Sequence, residues 1–103
     1  MNKQDLIRQA RNLMLRSLDR VYPSGLSVKL LEQVMCTVDA NYGIDLMRKD
    51  IAYLLEKGYI EIVSLDGEGT LADVRKNSMA VIKLTAVGLE IAQNLKRDPA
   101  LEV

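Results

Sequence analysis

Helix-spaced apolar residues over the first half of the chain, two β-branched runs after it and a final helix-spaced stretch predict an α+β fold. The 103 residues leave room for one domain, 1–103, because single domains cluster near ~100 to 150 residues. With 49% hydrophobic and 27% charged residues and only two prolines, the chain has enough apolar material for one packed core.

Leu6, Ile7, Ala10, Leu13, Met14, Leu18 and Val21 recur three and four residues apart, which predicts an amphipathic helix from Lys3 to Val21. Leu15 and Tyr22 widen its apolar arc beyond one stripe. Tyr22-Pro23-Ser24-Gly25 ends it, since proline disfavours helical geometry in the residue before it and glycine permits a turn. Ser27 is expected to cap a second helix that shares Leu30, Leu31, Val34, Met35 and Val38 on one buried face and ends near Ala40. Asn41-Tyr42-Gly43 reads as a turn, and Asp45 is expected to cap a third helix with Met47, Ile51, Leu54 and Leu55 inward. Lys57-Gly58 closes that helix with a cation in the last turn and a residue suited to left-handed backbone.

Tyr59 to Leu65 and Met79 to Leu84 read as two strands. The connection Asp66 to Ser78 (66–78) holds two glycines and is too long for a tight hairpin, so it is either a mobile tip or a loop with its own short element. Thr85 is expected to cap a last helix to about Lys96 that buries Ile91, Ala92 and Leu95, with Asp98-Pro99 opening a tail, 98–103.

The chain has no histidine and one cysteine, Cys36, which excludes Ser-His-Asp and Cys-His catalysis, thiolate zinc sites and an internal disulfide. No metal or cofactor is expected, and no enzymatic activity. A lone cysteine, the lack of a membrane-length apolar run and a first segment unlike a secretory signal point to the cytoplasm, without membrane attachment. Formal charge is zero, which is unfavourable to nucleic acid, yet it is uneven: Lys3, Arg8, Arg11, Arg16 and Arg20 outnumber Asp5 and Asp19 before Pro23, a local net of +3.

Three helices, a two-stranded wing with a long loop and a C-terminal helix follow one another in the order of a winged helix-turn-helix, whose third helix enters the major groove. The run DIAYLLEKGYIEIV, followed by IKLTAVGLEIA with Leu84, Thr85 and Gly88, is similar to the winged-helix cores of the MarR, PadR and ArsR groups. DLIRQARNLMLRSL, the pair Leu30-Leu31, Arg48 to Ile60 and LTAVGLEIA together resemble small winged-helix proteins of Mu-like bacteriophages and prophages. The resemblance spans most of the chain and departs in the wing, which is longer here. It implies a phage-encoded winged helix and little more, because the fold hosts many roles.

On the third helix the wheel leaves Arg48, Lys49 and Tyr53 as DNA contacts, against a solvated face for the cations and packing of the Tyr53 ring on the wing. Arg75, Lys76, Asn77 and Ser78 close the wing loop with a composition suited to phosphates, although Asp66, Glu68 and Asp73 in the same loop would repel them. Leu15, Tyr22 and Leu89 fall outside the core arcs and suggest a homodimer interface through the first and last helices, with extra internal core as the rival. Cys36 falls off the core face as a partly exposed structural thiol. The expected function is sequence-specific binding of double-stranded DNA by a phage or prophage transcription regulator. The alternatives are a winged-helix module that docks a phage or host protein, or an accessory factor in phage DNA handling or packaging.

Overall fold

The computed structural model describes residues 3–76 and 78–93, which form four α-helices and one antiparallel three-stranded sheet in the order α1 (Lys3–Val21), β1 (Leu26–Ser27), α2 (Val28–Cys36), α3 (Ile44–Glu56), β2 (Ile60–Val63), β3 (Val81–Leu84) and α4 (Ala86–Ala92). The sheet order is β1-β3-β2, with Leu26 opposite Ile82 and Ile62 opposite Ile82 from the other side. An α+β class is therefore correct, and the sheet has one strand more than the two expected. β1 is two residues long, too short for any period to register in the sequence.

α1 is contacted by α2, α3, β3 and α4, so its apolar arc must cover more than one side. Met14, Leu15 and Leu18 are fully buried. The expected intersubunit role of Leu15 is thus corrected: at 1% exposure it lies inside its own domain, because the central helix has neighbours on both flanks. Leu6, expected in the core, is exposed.

Ser27 caps α2 as expected, its Oγ accepting from Leu30 N–H at 3.2 Å. The buried stripe is Val28, Leu31 and Met35 rather than the set containing Leu30 and Val38, both of which are exposed. Val28 N–H donates to the Ala80 carbonyl at 3.0 Å and pins the helix start to the sheet, which sets the rotation of the helix. α2 also ends at Cys36 rather than Ala40. Thr37 Oγ1 donates back to the Val34 carbonyl at 2.6 Å, Asp39 Oδ1 accepts from Asn41 N–H at 2.9 Å, and the chain turns to bury Tyr42.

Asp45 does not cap α3. Gly43 is the N-cap, its carbonyl accepting from Met47 N–H at 3.0 Å, and Asp45 lies in the first turn, where its charge still suits the helix dipole. The helix closes as expected at Lys57, with Gly58 at φ +76. Both strands are shorter than their β-branched runs; beyond Val63 the chain leaves the ladder, and Leu65 and Met79 are exposed.

The long loop takes the second of its two expected forms. A 3₁₀ turn, Leu71–Asp73, is capped by Thr70, and the Asp73 carboxylate accepts from Gly69 and Thr70 N–H at 2.6 and 3.2 Å. This turn contacts α3, and Val74 behind it is fully buried in the core. Thr85 caps α4 as expected, accepting from Gly88 N–H at 3.1 Å while donating to the Gly58 carbonyl at 2.6 Å. Gly88 is buried, and a Cβ there would overlap the Tyr59 carbonyl. Ile91 is buried and Ala92 packs against the core; Leu95, Lys96 and the tail lie outside the described residues.

Candidate nucleic-acid interface

α3 buries Met47, Ile51 and Leu54 on the side that meets α1, β2 and the 3₁₀ turn, so the opposite strip carrying Asp45, Lys49 and Glu56 faces solvent. Lys49 is exposed and Arg48, on the flank, is half-buried. The exposed strip has one cation between two carboxylates, which gives it no strong field of either sign.

Tyr53 is half-buried rather than outward. It lies on the α1 side of the helix, where the Arg11 guanidinium stacks over its ring 3.8 Å from the centroid and Lys57 Nζ lies 5.6 Å away. Its ring is therefore part of the α1–α3 contact. In the wing loop Arg75 and Lys76 are exposed, and Asn77 lies outside the described residues. Ser78 is spent internally: its hydroxyl donates to the Asp73 carbonyl at 2.6 Å and accepts from Ala80 N–H at 3.1 Å. Of the residues expected to touch DNA, Lys49, Arg75 and Lys76 are exposed cations and Arg48 a half-buried one. Of those expected at a dimer contact, Tyr22 is exposed at 38%, and Leu89 packs against the domain's own core.

The sequence reading missed Asp50, the one buried charged residue among those described. Its two carboxylate oxygens are divided between two donors. Arg11 Nε donates to Oδ1 at 3.2 Å and the Tyr42 hydroxyl to Oδ2 at 2.6 Å. Burial pushes the Asp50 carboxyl above the usual carboxylate range, against the lowering pull of the Tyr42 and Arg11 hydrogen bonds. Burial, and then the hydrogen bond to Asp50, push the Tyr42 hydroxyl up as well, so it remains a donor. The signal available was position: Asp50 lies three residues after Met47 and four before Leu54, on the same side of the helix as both, and a carboxylate so near a core stripe needs partners from elsewhere in the chain. Cys36 closes the group, its thiol donating to the Tyr42 carbonyl at 3.1 Å.

Arg11, Tyr42 and Asp50 border a cleft of about 630 Å³ between the first half of α1, the end of α2 and the start of α3. Among the described residues no three His, Cys, Asp or Glu side chains cluster as a metal site, and no helix is long and apolar enough to cross a membrane. No family model, curated protein or solved structure matches this chain, and the reading of its surface rests on the geometry above.

Proposed function

We propose that the chain binds double-stranded DNA as a winged helix-turn-helix protein and regulates phage or prophage transcription. The observation that carries the reading is the outer strip of α3, left in solvent while the helix packs its other side on α1, β2 and the 3₁₀ turn, with Lys49 exposed on it and Arg48 beside it. The hairpin of β2 and β3 follows α3, and the exposure of Arg75 and Lys76 on its loop supports a role for them as phosphate contacts. The test is selection of duplexes from a random pool by the purified full chain at ~50 mM salt, where attraction to phosphate is least screened. Enrichment of a motif is expected, with Arg48→Ala or Lys49→Ala weakening it by ~1 to 3 kcal/mol for a base-reading contact. Absence of association with any duplex overturns the reading.

A second reading, docking of a phage or host protein, is favoured by one observation. Leu65 and Met79 are 104% and 87% exposed near Val63 at the loop end of the hairpin, an unusual cost for a solvated loop. A partner that protects the hairpin from proteolysis, and fails to do so for Leu65→Ser/Met79→Ser, would carry that reading.

A further inference from the structure

To present Arg48 and Lys49 in one register, α3 must be held against rolling on the elements beneath it. Its buried stripe of Met47, Ile51 and Leu54 holds the helix down, but apolar burial is non-directional and leaves its roll loosely set. A hydrogen bond fixes both a distance and an angle.

Arg11 supplies that fix from α1. Its Nε donates to Asp50 Oδ1 at 3.2 Å and its guanidinium lies 3.8 Å from the centre of the Tyr53 ring. One side chain thus holds two residues of α3 that stand three apart on the same side of the helix. The Asp50 carboxylate is held from a second direction by the Tyr42 hydroxyl at 2.6 Å, and Tyr42 belongs to the turn that enters α3. The Arg11 and Asp50 side chains are only 17% and 9% exposed, whereas Lys49 is exposed on the outer strip. A roll of about 10° moves a group about 5 to 6 Å from the helix axis by about 1 Å. That is enough to take the Arg11–Asp50 hydrogen bond out of range, and it displaces Arg48 and Lys49 by a similar amount.

We infer that Arg11 is a positioning residue for duplex recognition: paired with Asp50 and stacked on Tyr53, it fixes the roll of α3 and so sets sequence preference without touching nucleic acid. The inference rests on the DNA-binding reading above and adds to it a specificity-determining residue on a different helix.

The test compares the wild-type full chain with Arg11→Gln/Asp50→Asn, which removes the ion pair and leaves net charge unchanged. Affinity is measured for the selected duplex motif and for an unrelated duplex, each at several salt concentrations, with folding checked by circular dichroism. Motif affinity should fall at least about fivefold, the lower end of what one base-reading contact contributes, while affinity for the unrelated duplex stays within about twofold and both salt slopes are unchanged. A purely structural role would lower both affinities together through the folded fraction, or lower neither. Residual dipolar couplings on the labelled free chain give a readout without nucleic acid: those of α3 should no longer fit the wild-type orientation against α1. If the double variant does not fold, Arg11→Lys takes its place, because a compact ammonium keeps the charge but cannot both pair with Asp50 and stack flat on Tyr53. Full motif affinity in the folded variant, equal loss for both duplexes, or unchanged α3 couplings overturns the inference and leaves the DNA-binding reading standing. A slope that flattens by about 0.9 makes Arg11 a phosphate contact and also overturns it. A wild-type chain that binds every duplex alike overturns the inference alone, and one that binds no duplex overturns the reading with it.

Discussion

Asp50 is the residue with the most unusual environment in the described chain, and it carries a pH dependence whose sign follows from its burial. Its carboxyl is raised in the folded state, so the folded protein holds that proton more tightly than the unfolded chain does. The stabilisation from this group is complete below the unfolded value of about 4 and is lost as pH rises through the higher folded value. Asp50→Asn removes that dependence. In urea titrations the stability of the native chain relative to Asp50→Asn should therefore fall between acid and neutral pH; a constant or rising difference would mean that the Arg11 and Tyr42 contacts outweigh burial. Cys36 belongs to the same group. Expected off the core face, it is half-buried with its thiol on the Tyr42 carbonyl, so a thiol reagent should label the native chain slowly and to completion without unfolding it. Labelling only after denaturant is added would place the thiol deeper than this contact implies.

At the scale of elements, the long loop and the β3–α4 junction are the places where local chemistry sets tertiary position. Val74 anchors the loop by burying its side chain completely, and Leu65, at the loop's start, is completely exposed. Val74→Ala deletes two buried methyl groups and should cost about 2 kcal/mol in urea unfolding while making the loop more sensitive to protease. Leu65→Ala should change neither; an equal loss in both variants would show that the loop is not held at Val74. At the junction, the Thr85 cap and the close approach of Gly88 to the Tyr59 carbonyl give a physical reason for the LT-x-x-G pattern. Gly88→Ala puts a methyl group against backbone that cannot rotate away, and a loss of ~1 to 3 kcal/mol is expected from overpacking. The Ser27 and Thr85 caps, the span of α1 and the Lys57-Gly58 stop were legible in the sequence because each depends on residues within a few positions of one another, whereas the Asp45 cap and the end of α2 near Ala40 were misjudged. The rotation of α2, the short β1, the burial of Leu15 and the partners of Asp50 were not legible. Each is set by a contact far along the chain, such as Val28 with Ala80 or Arg11 with Asp50.

At the scale of the molecule, the question is how a chain of zero net charge could hold a polyanion, and the available cations limit the answer. Of the expected contacts, Ser78 is committed inside the loop, the Tyr53 ring lies under Arg11 and Asn77 lies outside the described residues, which leaves the four cations Arg48, Lys49, Arg75 and Lys76. Each phosphate neutralised contributes a slope of about −0.9 to log affinity against log salt, so one chain using all four cations would show about −4 and a homodimer about −7. The burial of Leu15 removes one of the three contacts expected for the dimer, so the slope also bears on stoichiometry. The measurement is duplex affinity at several salt concentrations, paired with light scattering on the free chain. A slope near −4 with a monomeric chain would place a single domain on the duplex, while about −7 with a dimer would require an interface built on Tyr22, Leu89 or surfaces other than Leu15. In either case Arg48→Ala/Lys49→Ala should flatten the slope by about two contacts per chain if both residues reach phosphate. If instead they read bases, affinity for the selected motif should fall while the slope stays nearly constant. A slope much steeper than −7 would require cations outside these four, and the basic residues of α1 would then be the next to substitute.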